Sequence, residues 1–122
     1  MTDRLATHLE SIRRAASNAI DFTDGMSLDV FMEDAKTQAA AAMCLIVIGE
    51  SASRILVDAP DFVATRPAWP WEQMRGMRNR IAHGYDTLNL PIIWSTVTEF
   101  VPGLLSAVVA GLSANDPPQI AT

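Results

Sequence analysis

The sequence predicts an all-α fold, an up-and-down bundle of four main helices with a short extra one, on three observations. Apolar residues recur at three- and four-residue steps along most of the chain. Proline and glycine interrupt that pattern at a few well-separated places. No stretch alternates apolar and polar residues as a half-buried strand would.

Leu5, Leu9, Ile12, Ala16, Ala19 and Ile20 form one stripe on a first helix of about five turns. Thr23-Asp24-Gly25-Met26 breaks it, with Gly25 as a left-handed terminator, and Ser27 caps the next helix. Helix is expected from Ser27 to about Val57, as a short piece and then a long one. Phe31, Ala35, Ala39, Ala42, Ile46 and Ser53 fall near one face of it. Ala39 to Ile48 is apolar all round, which predicts a central helix buried on several sides.

Asp58-Ala59-Pro60-Asp61 ends the long helix. Pro60, Pro67 and Pro70 then mark a connector with little room for regular structure. A shorter helix is expected from Trp71 to Ala82, stopping near Gly84. Asn89 caps the last helix, with Pro91 in its first turn. Its stripe is Leu90, Ile93, Trp94, Val97, Val101, Leu104, Leu105, Val108 and Leu112, and Pro102 within it predicts a kink. Residues 1–113 form the expected domain and 114–122 a flexible tail.

A chain of 122 residues with 49% hydrophobic content suits one domain with a substantial core. The longest strongly apolar run, Ala39 to Gly49, is shorter than the ~20 residues that cross a bilayer. Early acids (Asp3, Glu10) and no apolar leader point to a cytoplasmic protein. Cys44 is the one cysteine, so an intrachain disulfide and a thiolate zinc site are excluded; a core position fits it. His8 is expected at the surface, and Trp69, Trp71 and Trp94 as anchors of the core or of a dimer interface. No carboxylate–histidine spacing suggests a metal or other cofactor.

The net charge of −5 argues against a protein that coats nucleic acid. Its distribution is uneven: from Arg66 to His83, four arginines stand against Glu72 alone, a local +3 that leaves −8 elsewhere. A focused basic patch suits one phosphate or a short RNA stretch, although a solvated helix face would look the same.

The chemistry concentrates in Met74-Arg75-Gly76-Met77-Arg78-Asn79-Arg80-Ile81-Ala82-His83-Gly84-Tyr85. Arginine holds a phosphate by paired hydrogen bonds, and histidine exchanges protons near neutral pH. Arg78 and His83 therefore suit attack of a ribose 2′-hydroxyl on the adjacent phosphorus. Five residues correspond to about 140° of helix rotation, so the two converge only if the helix loosens near Gly84. Asn79, four residues before His83, is placed to orient the imidazole or touch RNA. Arg75 and Arg80 are either RNA contacts or solvated charges. Glu50, at the end of an apolar helix, is expected to pair with an arginine and shape the cleft, because an unpaired buried carboxylate is costly. One motif histidine per chain leaves half of the acid–base work unassigned, which is a physical reason to expect a dimer.

Arg78-Asn79-Arg80-Ile81-Ala82-His83-Gly84-Tyr85 resembles the arginine, four-residue spacer, histidine, any residue, tyrosine signature of HepT-like toxins in the HEPN superfamily. The resemblance extends to Phe31 through Gln38, Ile48-Gly49-Glu50, Trp71 and Ile93-Trp94; Ser51 stands where the family more often has alanine. It implies a HEPN-like bundle that dimerises around an RNA-cutting cleft. It also implies a partner, a minimal nucleotidyltransferase (MNT-type) antitoxin that adds AMP to the motif tyrosine, here Tyr85. The alternative is a non-catalytic helical dimer that binds such a transferase or presents substrate to it.

Overall fold

The computed structural model describes residues 2–81 and 87–113. Thr2 opens the first helix, its hydroxyl oxygen accepting the Leu5 N–H at 3.1 Å. This helix, α1 (Asp3–Thr23), ends before Gly25, whose φ of +78° lies in the left-handed region as the sequence implied. Ser27 then caps α2 (Leu28–Met32) by accepting the Val30 N–H. The expected division into a short and a long piece falls at Glu33–Asp34. There the Asp34 carboxylate accepts both the backbone N–H and the hydroxyl of Thr37 and starts α3 (Ala35–Asp58).

Pro60 sits in the first turn of a five-residue helix, α4 (Pro60–Ala64), where the sequence suggested irregular connector. Proline lacks the N–H that a first turn leaves unused, so it starts this helix rather than preventing one. The expected helix over 71–82 divides at Gly76 into α5 (Trp71–Arg75) and α6 (Met77–Ile81). Asn89 accepts the Ile92 N–H and begins α7 (Leu90–Ser95). A wide π-helical turn, Thr96–Phe100, leads into α8 (Val101–Ser113).

Pro102 accounts for the wide turn. In a regular helix its ring would press on the Thr98 carbonyl, and it has no N–H to donate. Instead Val101 donates five residues back, to the Thr96 carbonyl. The expected kink takes this form.

α3 lies at the centre, packed against α1, α5 and α6, with α8 closing on the other side of α1. Leu9, Ile12, Phe31, Leu45, Ile48, Ile55, Ile93, Val97 and Val108 are fully enclosed. Each contributes roughly 1.5–3 kcal/mol by leaving water. The face expected on α3 is displaced: Ala35 and Ala39 are exposed and Ile46 and Ser53 half-buried, whereas Ala41, Cys44, Leu45, Ile48 and Ala52 line the core. Nor is the apolar stretch enclosed all round, since Met43 is 59% exposed. Alanine-rich helices pack well on either side, so periodicity fixed their helicity better than their rotation. Burial raises the pKa of the Cys44 thiol, consistent with its core position.

His8 departs from its expected surface position: its side chain is only 17% exposed, with Nε2 3.5 Å from an Asp58 carboxylate oxygen that Arg4 also approaches. Trp71 is buried and donates its indole N–H to the Arg66 carbonyl; Trp69 stacks on it at 5.4 Å. Trp94 packs on Phe31 at 5.2 Å. Ala35–Asp58 and Leu90–Ser113 are each long and apolar enough to cross a membrane by length and composition, which the shorter apolar run in the sequence did not suggest. Half of the first stretch is buried inside the bundle, as a core helix requires.

Candidate active site

The motif segment is held by its apolar residues. Trp71, Met74, Met77 and Ile81 are buried, and through them α5 and α6 lie along α3. Gly76 bridges the two helices in ordinary right-handed conformation. Its N–H donates to the Glu72 carbonyl, and its carbonyl accepts from Arg80, so the hydrogen-bond ladder runs on through the break.

Gly49 sets the separation. A Cβ there would stand 3.0 Å from the Met74 carbonyl oxygen, 3.6 Å from Met77 Cβ and 3.7 Å from the Arg78 backbone nitrogen. The tight approach is thus to the end of α5, while the start of α6 lies at ordinary contact distance. Sequence reasoning noticed Ile48-Gly49-Glu50 by resemblance alone. A glycine one residue from a buried isoleucine, inside an apolar helix, was the available physical signal for a close crossing.

With Met77 and Ile81 facing the core, Arg78, Asn79 and Arg80 face solvent. Arg75 is paired with Glu72 at 2.5 Å on an exposed surface. Among the described residues, Arg78 and Arg80 have no acidic partner, which leaves their guanidinium groups for a phosphate or another ligand. Glu50 differs from expectation: it is exposed and pairs with no arginine among the described residues. Water solvates it, so the cost that motivated a partner does not arise.

His83 and Tyr85 lie outside the described residues, so the structure places neither. It does fix the ends of their segment, because the Asn89 N–H donates to the Ile81 carbonyl at 2.9 Å. Arg78, Asn79 and Arg80 are all exposed on α6, with Arg80 turned to a different face from Arg78. Arg75 lies one turn earlier, and Glu50 follows the glycine that the motif helices cross.

The segment that carries these arginines lies within a stretch that matches a known protein family. The family model described as "Ribonuclease HepT-like" matches residues 12–110. The chain belongs to the HepT-like ribonuclease family. It is 37% identical over 94 residues to "Putative RNase MJ0127" of Methanocaldococcus jannaschii, covering 77% of this chain and 75% of that protein. It is 34% identical over 97 residues to "Probable ribonuclease HepT" of Thermococcus cleftensis, covering 80% of this chain and 86% of the relative. No solved structure matches the chain significantly. The all-α HEPN-like bundle expected from the sequence is the fold observed, and RNA is the substrate class that the family implies.

Proposed function

We propose that this HepT-like protein is a metal-independent endoribonuclease and the toxin of a toxin–antitoxin pair. In this mechanism the 2′-hydroxyl oxygen of a ribose attacks the neighbouring phosphorus. A His83 imidazole accepts the hydroxyl proton, the bond from phosphorus to the 5′ oxygen breaks, and that oxygen takes a proton from a second imidazole. The products are a 2′,3′-cyclic phosphate and a 5′-hydroxyl. The nucleophile is carried by the RNA itself, so no activated water is required. Arg78 neutralises the charge that builds on the phosphoryl oxygens.

The observation that carries this reading is Arg78 itself, solvent-facing and unpaired among the described residues, in a chain of the HepT-like ribonuclease family. Asn79 would orient His83 or the RNA, with Arg75 and Arg80 as further RNA contacts. One motif histidine per chain cannot be both base and acid in a single step, so the working form is a homodimer that shares its two copies of the segment. A partner nucleotidyltransferase neutralises the toxin by placing AMP on Tyr85, two residues from His83, where an anionic group repels RNA. We place this activity in the cytoplasm.

The test is cleavage of RNA in excess EDTA by the purified protein, with mapping of the ends. Cyclic phosphate ends are expected, and Arg78→Ala or His83→Ala should each abolish cutting in a folded dimer. Undiminished cutting by both variants would refute the assignment. Coexpression with the neighbouring transferase should add whole AMP units, which Tyr85→Phe prevents.

A further inference from the structure

On the far side of α6 from Arg78 lies a cavity of about 240 Å³ between the motif helices and the wide turn of the last helix. Met77 and Ile81, both buried, form its apolar floor, and the half-buried Phe100 forms one wall. Arg80 enters from α6 and Glu99 from the wide turn, with Gln73 at the rim. The two charges line the same cavity without pairing with each other, and among the described residues neither has another ionic partner.

We propose that this cavity is a guanine-recognition pocket for single-stranded RNA. An apolar floor beside an aromatic ring suits the flat face of a base, which single-stranded RNA can turn out of its stack. The two charges then choose the base. Guanine carries two adjacent acceptors, O6 and N7, which match the paired donors of Arg80. Its N1–H and 2-amino group form a pair of adjacent donors, which match the two oxygens of Glu99. Adenine sets an amino donor beside N7, where it opposes an arginine N–H. Cytosine and uracil have no second edge of this kind.

The proposal rests on the ribonuclease reading for its substrate. Arg80 is turned about 200° from Arg78 around α6, so the pocket takes a base flanking the scissile nucleotide rather than the attacked one. It adds specificity to a site whose phosphate chemistry is indifferent to sequence.

Two measurements on the full-length dimer test it. The first uses oligoribonucleotides identical except at one guanine, replaced in turn by adenine and by inosine, which lacks the 2-amino group. Cuts should fall at a fixed distance from guanine. The ratio kcat/KM should drop about 10- to 100-fold with adenine and about tenfold with inosine. Glu99→Gln should lower the guanine-to-adenine ratio severalfold, and Glu99→Gln combined with Arg80→Ala should bring it close to one. Cleavage indifferent to guanine overturns the pocket while leaving the ribonuclease standing. A guanine preference that survives both Glu99→Gln and Arg80→Ala does the same.

The second titrates guanosine 5′-monophosphate or adenosine 5′-monophosphate against the protein, following the Thr96 and Phe100 amides by NMR. Guanosine selectivity that Glu99→Gln lowers supports the pocket even if no RNA is cut, in which case the ribonuclease reading fails alone. Equal binding of the two nucleotides overturns the pocket.

Discussion

Substituting Gly49 tests whether the crossing of α3 with the motif helices positions Arg78, the arginine proposed to act in cleavage. An alanine Cβ would stand 3.0 Å from the Met74 carbonyl oxygen, a backbone atom that cannot rotate away. Replacing a helical glycine by alanine ordinarily gains about 0.8–1 kcal/mol. Forcing an added carbon into a packed contact costs about 1–3 kcal/mol. For Gly49→Ala the terms nearly cancel, giving a net loss between about 0 and 2 kcal/mol. Gly49→Val forfeits most of the propensity gain and brings two more methyl groups against Met77 Cβ, so a loss of about 2–3 kcal/mol or more is expected. For a chain of this size that corresponds to roughly 8–12 °C in melting temperature. Relief of the strain displaces the Met74 carbonyl at the end of α5, and Arg78, four residues further along the continuous hydrogen-bond ladder, shifts with it. A displacement of 1 Å can cost about 100-fold in rate, so a shift of a few tenths should cost severalfold. Urea melts followed by circular dichroism and RNA cleavage under saturating conditions measure the two effects. A Gly49→Val protein with parental stability and parental cleavage would show that the close approach positions nothing.

Arg78→Ala should lower kcat by about 100-fold or more, and Arg78→Lys should restore only part of it, because an ammonium lacks the paired donors. Neither should change the unfolding free energy by more than about 0.5 kcal/mol, since the side chain is exposed; equal rates for lysine and arginine would remove the case for a bidentate contact. Pro102→Ala supplies the missing N–H and should raise stability by up to about 3 kcal/mol as the wide turn relaxes. No gain would mean that another interaction holds the turn. The two Thr37 hydrogen bonds hold the Asp34 carboxyl below its ordinary pKa. The unfolded state therefore binds the proton more readily, so this stabilisation is present above the unfolded value of about 4 and lost as pH falls towards the lower folded one. Asp34→Asn should flatten that acid limb of the stability–pH curve, and an unchanged slope would refute the assignment.

The fold was legible wherever local chemistry decided it. Ser27 and Asn89 cap where they were expected to, Gly25 takes positive φ, and the stripe of α1 faces the core. The stripe of the last helix was also found, because branched residues recur there at steps that only one face satisfies. The rotation of α3 was not legible, since Ala35 to Ala42 offers nearly equal faces and tertiary contacts choose among them. Glu50 and His8 were misjudged for a related reason. Sequence neighbours said one was buried and the other exposed, whereas Glu50 faces solvent and His8 packs beside Asp58. At the site, Arg78 and its flanks could be found from residue type and spacing. Glu99 could not, because it reaches the motif helix from a turn that exists only once Pro102 has widened the last helix.

Asn89 has a consequence of another kind. Its N–H closes onto Ile81 at the end of α6, and its side chain opens α7 by accepting from Ile92. One residue thus joins the end of α6, which lines one side of the cavity, to the start of α7, which leads into the wide turn lining the other. The side of the cavity that carries Arg80 and the side that carries Glu99 are therefore held in register through this single asparagine, which makes Asn89 a determinant of the cavity's width although it does not line it.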